Sequence, residues 1–190
     1  MKVIAVDIDN VLNNFSDTLA QSTFIFKDSY GISQEKFSHY LKLVKRDDFA
    51  ESKFLTNKFS DFRHRIHEEC YPLAQANADG VKFMNWLKAN DWKVVICTKR
   101  NLRLAGECTK KWLYENQIPY DYLVMALNKI VFCKLWDVPY LIDDDLLNIT
   151  YGEHYGIQVF YPIMTKHSSI VYQTAKGFTQ FEEIKQWIQE

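Results

Sequence analysis

The chain has 190 residues, 47% apolar and 25% charged, the balance of a globular protein long enough to bury a core in one domain carrying an inserted subdomain. Its formal net charge of −1 excludes a global attraction to nucleic acid or anionic membrane, so a charged ligand must be held by a local site. No apolar segment approaches the about 18 residues of a membrane helix, and Lys2 followed by early acids is not a signal peptide, which predicts a cytoplasmic protein.

An apolar strand, Val3 to Val6, opens the chain and delivers Asp7 and Asp9 before Val11 and Leu12. Residues 13 to about 70 then turn aromatic and charged with helical spacing. Phe15, Leu19, Phe26 and Tyr30 lie on one helix face and stop at Gly31, a helix terminator. A second helix is predicted from Ser33 to Lys45 and a third from Thr56 to Cys70, closed by Tyr71-Pro72. Beyond them the pattern alternates. A helix over 79–90 precedes the strand 93–97, and a helix over 102–117 precedes the strand 122–125. A helix over 129–137 leads to the strand 140–142, a short helix to the strand 158–161, and 178–189 reads as a terminal helix. Short apolar strands alternating with helices predict an α/β fold, a parallel sheet covered on both faces. Cys70, Cys97, Cys108 and Cys133 have no metal-like spacing and read as reduced thiols, Cys97 and Cys133 as small core residues.

Parallel sheets place ligands at the carboxyl ends of their strands, and polar residues gather there. The first strand ends in Asp7 and Asp9, which face one side if the chain stays extended. Carboxylates at close range repel unless a proton or cation offsets them, and a hard cation such as Mg2+ suits them. The plainer alternative is a D-x-D at a loop mouth, or a helix cap. Thr98 ends the next strand, where its hydroxyl either caps the following helix or holds a phosphate oxygen. Lys99 and Arg100 follow directly, placed to meet substrate. After the strand 140–142 come Asp143, the better cation ligand, Asp144, a second ligand or an orienting group, and Asp145, most simply an N-cap. Lys129 follows the potential cap Asn128 at a helix start, which favours anions; Lys134, also upstream of the acidic run, competes for the same role.

With these residues the chain resembles the haloacid-dehalogenase (HAD) superfamily. Asp7, Asp9, Val11 and Leu12 are similar to its first motif, Thr98 to its second, Lys129 to its third, and Asp143 with Asp144 to its fourth. The resemblance implies a Rossmann-like core formed by 1–13 and 76–190, with a helical cap over 14–75. It implies Asp7 as the nucleophile of an aspartyl-phosphate pathway and Asp9 as acid and base. It implies Mg2+ held by the Asp7 side chain, the Asp9 carbonyl, Asp143 and Asp144, with Thr98, Lys99 and Lys129 on the phosphate. An acid two residues after the nucleophile favours phosphoryl transfer over carbon–halogen cleavage. Leu-Ile-Asp-Asp in the fourth motif and the early cap are similar to the 5'(3')-deoxyribonucleotidase group, although its lysine spacing fits Lys134 better. Asn10, where many members carry glycine, is a tolerable departure.

The expected partner is a small phosphomonoester, with nucleoside monophosphates the leading class and phosphosugars, phosphoproteins or nucleic-acid ends the alternatives. No membrane and no extended nucleic-acid surface is expected. A non-catalytic HAD-like binding domain is the third reading, weakened by the presence of Asp7, Asp9 and Asp143 together. In the cap, Phe15, Phe24, Phe49, Phe54, Phe59 and Phe62 read mainly as core, and Arg46, Arg63, Arg65 and His67 mainly as a solvated face. Aromatic cap surface suits either a substrate pocket or a homodimer interface.

Overall fold

The computed structural model describes residues 2–19, 21, 22, 33, 35, 69–164, 167 and 171–189. The chain divides into two units, Met1–Asn14 with Gln75–Glu190, and Phe15–Ala74. In the latter, residues 15–19 are helical, Phe15 stacks on Tyr71 with ring centroids 5.1 Å apart, and Tyr71–Leu73 form a 3-10 turn that Pro72 helps start. The predicted second helix and most of the first and third, with Phe24, Arg46, Phe49, Phe54, Phe59, Phe62, Arg63, Arg65 and His67, lie outside the described residues.

The other unit is built on strands β1 (Val3–Val6), β2 (Lys93–Thr98), β3 (Tyr122–Met125), β4 (Tyr140–Ile142), β5 (Gln158–Pro162) and β6 (Lys176–Phe178). They form one parallel sheet in the order β3-β2-β1-β4-β5-β6. Central position explains why β1 is buried throughout and reads as a continuous apolar run. Alternate side chains leave opposite faces. Ile4, Val6, Val94, Ile96, Ile142 and Phe160 enter one core layer; Val3, Ala5, Val95, Cys97, Leu141 and Val159 enter the other.

Helices cover both layers. α1 (Ala78–Ala89), α2 (Leu102–Glu115) and α5 (Phe181–Gln189) pack on the first through Phe83, Leu87, Leu113, Phe181 and Ile184. α3 (Lys129–Leu135) and α4 (Leu146–His154) pack on the second through Ile130, Cys133 and Ile149. Asn77, Asn128 and Asp145 cap α1, α3 and α4 through their side chains. Asp91, Gln117 and Asp137, just beyond α1, α2 and α3, take left-handed φ values of 60°, 53° and 50°. Gly156 does the same after α4 with φ 70°. Where α4 crosses β5 the approach is closest: a Cβ on Gly152 would lie 2.2 Å from Val159 Cγ2.

One predicted element divides. Phe178 belongs to β6, and the terminal helix starts at Phe181. Glu183 Oε1 accepts the backbone N–H groups of Thr179 and Gln180, ending the strand before the helix begins. No helix among the described residues is long and apolar enough to cross a membrane.

Candidate active site

The parallel register sets the strand ends side by side. Val6 pairs with Ile96 of β2 and with Ile142 of β4, so the next residue along β1, Asp7, lies beside Asp143. Backbone bonds continue the ladder one step, Asp7 N–H to the Ile142 carbonyl at 2.9 Å and Asp143 N–H to the Phe160 carbonyl at 3.1 Å. Extended chain then stops. Leu12 N–H donates to the Ile8 carbonyl at 2.8 Å, closing a turn. Asp9 therefore leaves β1 in a turn, not by strand alternation, and its carboxylate takes different partners from that of Asp7.

Lys129, the first residue of α3, is 2% exposed and reaches two carboxylates at once. Its Nζ lies 2.7 Å from Asp7 Oδ2 and 2.8 Å from Asp143 Oδ2. The capping Asn128, which accepts Val131 N–H at 3.0 Å, sets the helix start that aims it. Burial alone would favour the neutral amine, but Asp143 and Asp7 hold the ammonium charged, its pKa above the ordinary lysine range. Lys134, the alternative, is exposed and donates to the Tyr155 carbonyl at 3.2 Å, away from the acids.

Asp143 is fully buried; Asn148 donates to its Oδ2 at 3.1 Å and Asp145 N–H to its Oδ1 at 2.9 Å. Asp144 Oδ2 accepts from Asn10 at 2.9 Å, while Asp145 caps α4 by accepting Leu147 N–H at 2.8 Å. Oxygens of Asp7, Asp143 and Asp144 come within 4.8 Å of one another. Burial, opposed by the Lys129 charge and reinforced by Asp143, Asp144 and Asp9, pushes the Asp7 carboxyl up to about 8. These three carboxylates fit a divalent cation. With all three ionised against the one ammonium of Lys129, two negative charges are left for a cation to offset, and all three offer oxygen donors of the kind hard cations take.

Asp9 is clamped elsewhere. Arg100 Nε donates to Asp9 Oδ2 at 3.0 Å and its Nη2 to Oδ1 at 2.6 Å, a two-point grip. Asn13 adds a bond to Oδ1 at 3.2 Å. Burial works to raise the Asp9 carboxyl, but the Arg100 charge and these hydrogen bonds hold it below its ordinary value. Arg100 is itself buried, and its Nη1 donates to Thr109 of α2 at 3.1 Å. Of the two residues expected near substrate, Lys99 and Arg100, the latter grips Asp9. Lys99 is more exposed, its Nζ 4.0 Å from Asp145 Oδ2.

Thr98 is 1% exposed at the end of β2, and its hydroxyl finds no hydrogen-bond partner among the described residues. A buried, unpaired hydroxyl is costly unless a ligand completes it. It does not cap α2; Asn101 Oδ1 instead accepts Arg103 N–H there at 2.9 Å. His167 is an addition that no spacing announced: its Nε2 bonds the Asp144 carbonyl at 3.0 Å and its Nδ1 accepts Met164 N–H at 3.2 Å.

No protein-family model matches the chain, and no curated protein does. Solved structures do match. A HAD phosphatase from Thermococcus onnurineus is 16% identical over 99% of this chain and 98% of its own, with a TM-score of 0.68. A HAD-superfamily hydrolase of subfamily IA, variant 1, from Geobacter sulfurreducens is 14% identical over 99% and 96%, with a TM-score of 0.64. A D,D-heptose 1,7-bisphosphate phosphatase from B. bronchiseptica, complexed with magnesium and phosphate, is 12% identical over 100% and 99%, with a TM-score of 0.58. At these identities the likeness shows the fold: an α/β chain with the Rossmann-like parallel sheet of HAD proteins. These neighbours lend nothing to the deoxyribonucleotidase grouping.

Proposed function

We propose that this chain is a phosphomonoester hydrolase of the HAD type, dependent on a divalent cation, Mg2+ by preference, and working through a phosphoryl group carried on Asp7. The observation that carries the reading is the joining of Asp7 to Asp143 by the buried Lys129, with the hydroxyl of Thr98, unpaired among the described residues, at the end of the adjoining strand β2. A cluster built only for stability would not bury three acids against one base and leave a buried hydroxyl unpaired at the adjoining strand end. An anion arriving at the strand ends meets that hydroxyl and the Lys129 ammonium.

Mg2+, held by Asp7, Asp143 and Asp144, would supply the positive charge that offsets the substrate's phosphate oxygens. Attack forms a bond from an Asp7 carboxylate oxygen to phosphorus and breaks the ester P–O bond, whose oxygen takes a proton from Asp9. Water then attacks the same phosphorus and releases inorganic phosphate. Asp9 accepts the water's proton in that half, restoring its acid form for the next leaving group. Arg100 fixes the carboxylate in place and favours the charged form that Asp9 takes once it has given up its proton, the form that accepts from water in the second half. The rest is positioning and electrostatics.

For substrate, nucleoside monophosphates remain the class suggested by the motif sequence. A phosphosugar is the second reading, favoured by the sugar bisphosphate phosphatase among the structural neighbours. A phosphate-release screen over nucleotides, phosphosugars and an aryl phosphate, with and without Mg2+, separates them. Activity is expected to require the cation and to fall by about 10³-fold or more in Asp7→Asn. Undiminished turnover in that variant would overturn the mechanism, and no turnover of any phosphomonoester would leave the non-catalytic reading standing.

A further inference from the structure

Asn10 follows the second acid of the first motif with φ at 62°. Glycine enters this left-handed region freely, whereas a side chain makes it costlier. Asparagine is among the side-chain residues that enter it most readily, so the turn admits an amide at this position. Asn10 Nδ2 donates to Asp144 Oδ2 at 2.9 Å, joining the turn after β1 to the acid pair after β4 across 134 positions of sequence. The backbone N–H of Asn10 donates to Asn13 Oδ1 at 3.0 Å, and Asn13 Nδ2 to Asp9 Oδ1 at 3.2 Å. The turn is therefore tied at both ends. Asp144 is held a second time, through its carbonyl, by His167. Because His167 Nδ1 accepts a backbone N–H, the proton lies on Nε2, and the ring donates it to that carbonyl.

We propose that Asn10 is a positioning residue for the cation: its amide fixes the rotation of the Asp144 carboxylate, so that an arriving Mg2+ meets three oriented carboxylates. This rests on the cation-dependent reading above. A carboxylate free to rotate must be ordered when the ion binds; one already bonded to Asn10 and anchored through His167 is not. The asparagine thus does what glycine cannot, while accepting the same backbone.

The test is calorimetric titration of the full chain with Mg2+, paired with the thermal midpoint of the metal-free protein, for wild type, Asn10→Gly and Asn10→Ala. Asn10→Gly is expected to keep the metal-free midpoint of wild type and to bind Mg2+ about tenfold more weakly. Asn10→Ala is expected to lose the same affinity and also melt lower, since alanine bears the left-handed strain without the amide. Binding within about twofold of wild type in Asn10→Gly would overturn the proposal while leaving the phosphatase reading intact. A midpoint for Asn10→Gly as low as that of Asn10→Ala would assign the amide to the fold and overturn it as well. Failure of wild type itself to take up millimolar Mg2+ would bring down both readings together.

Discussion

Lys129 stands between Asp7 and Asp143 with its ammonium less than 3 Å from each, and none of the three meets solvent appreciably. Removing it would leave two buried carboxylates facing one another. Lys129→Met, which keeps the aliphatic stem, should destabilise the fold by about 3 kcal/mol near pH 8. The loss should shrink near pH 5, where the acids can protonate, and urea unfolding at the two pH values would show it. A uniform loss at both would mean that the stem, not the charge, matters. This lysine was legible because Asn128 marks a helix start, and helix starts gather anions. Arg100 was not. Its neighbour Thr98 is recognisable as a strand end, but nothing in Lys99-Arg100 says which way the chain bends. That bend carries the guanidinium to Asp9, 91 positions earlier. His167 had no signal at all, acting through its ring on a backbone carbonyl.

The helices that flank the site depend on close packing as much as on caps. α4 follows directly from the acid pair, and its Gly152 rests against Val159 of β5 with no room for a methyl group. Gly152→Ala should cost about 1–3 kcal/mol, read as a lowered urea midpoint with unchanged slope, because the stiff valine cannot move aside cheaply. An unaltered midpoint would show that α4 can slide on the sheet. Elements of this kind were readable wherever burial imposed a period. Tyr122–Met125 and Tyr140–Ile142 match the predicted bounds, and Ala78–Ala89 differs from its prediction by one residue at each end. β6 escaped notice because Lys176-Gly177-Phe178 is too short to alternate and carries a glycine. Phe178 also lies three positions before Phe181, the spacing of one helix face, although in the fold it ends a strand and the two rings pack with centroids 4.9 Å apart.

A chain of net charge −1 gains little from its overall field, yet its strand ends concentrate negative charge. That contrast governs how stability should vary with pH. Asp7, pushed up to about 8, keeps its proton in the folded protein where the unfolded chain has lost it. The folded state then binds more protons between about pH 4 and pH 8, so stability falls as pH rises through that window. Asp9, held low, acts only at more acid pH, and the raised Lys129 acts only at more alkaline pH. The metal-free protein should therefore melt progressively lower from pH 5 to pH 8. Mg2+ should restore the midpoint most at pH 8, where binding displaces the fewest protons. A midpoint that climbs with pH in the absence of metal would contradict the assignment of Asp7. The sheet order carries one more consequence, in time instead of energy. β1 is made before both of its neighbours, β2 and β4, so its second edge stays open until residues 140–142 have been synthesised. Closing so long a loop is slow, and a ribosome-bound chain short of β4 has no Asp143 beside Asp7. Asp7 and Asp9 thus wait in water, ionised, until the docking of β4 dehydrates them and completes the site.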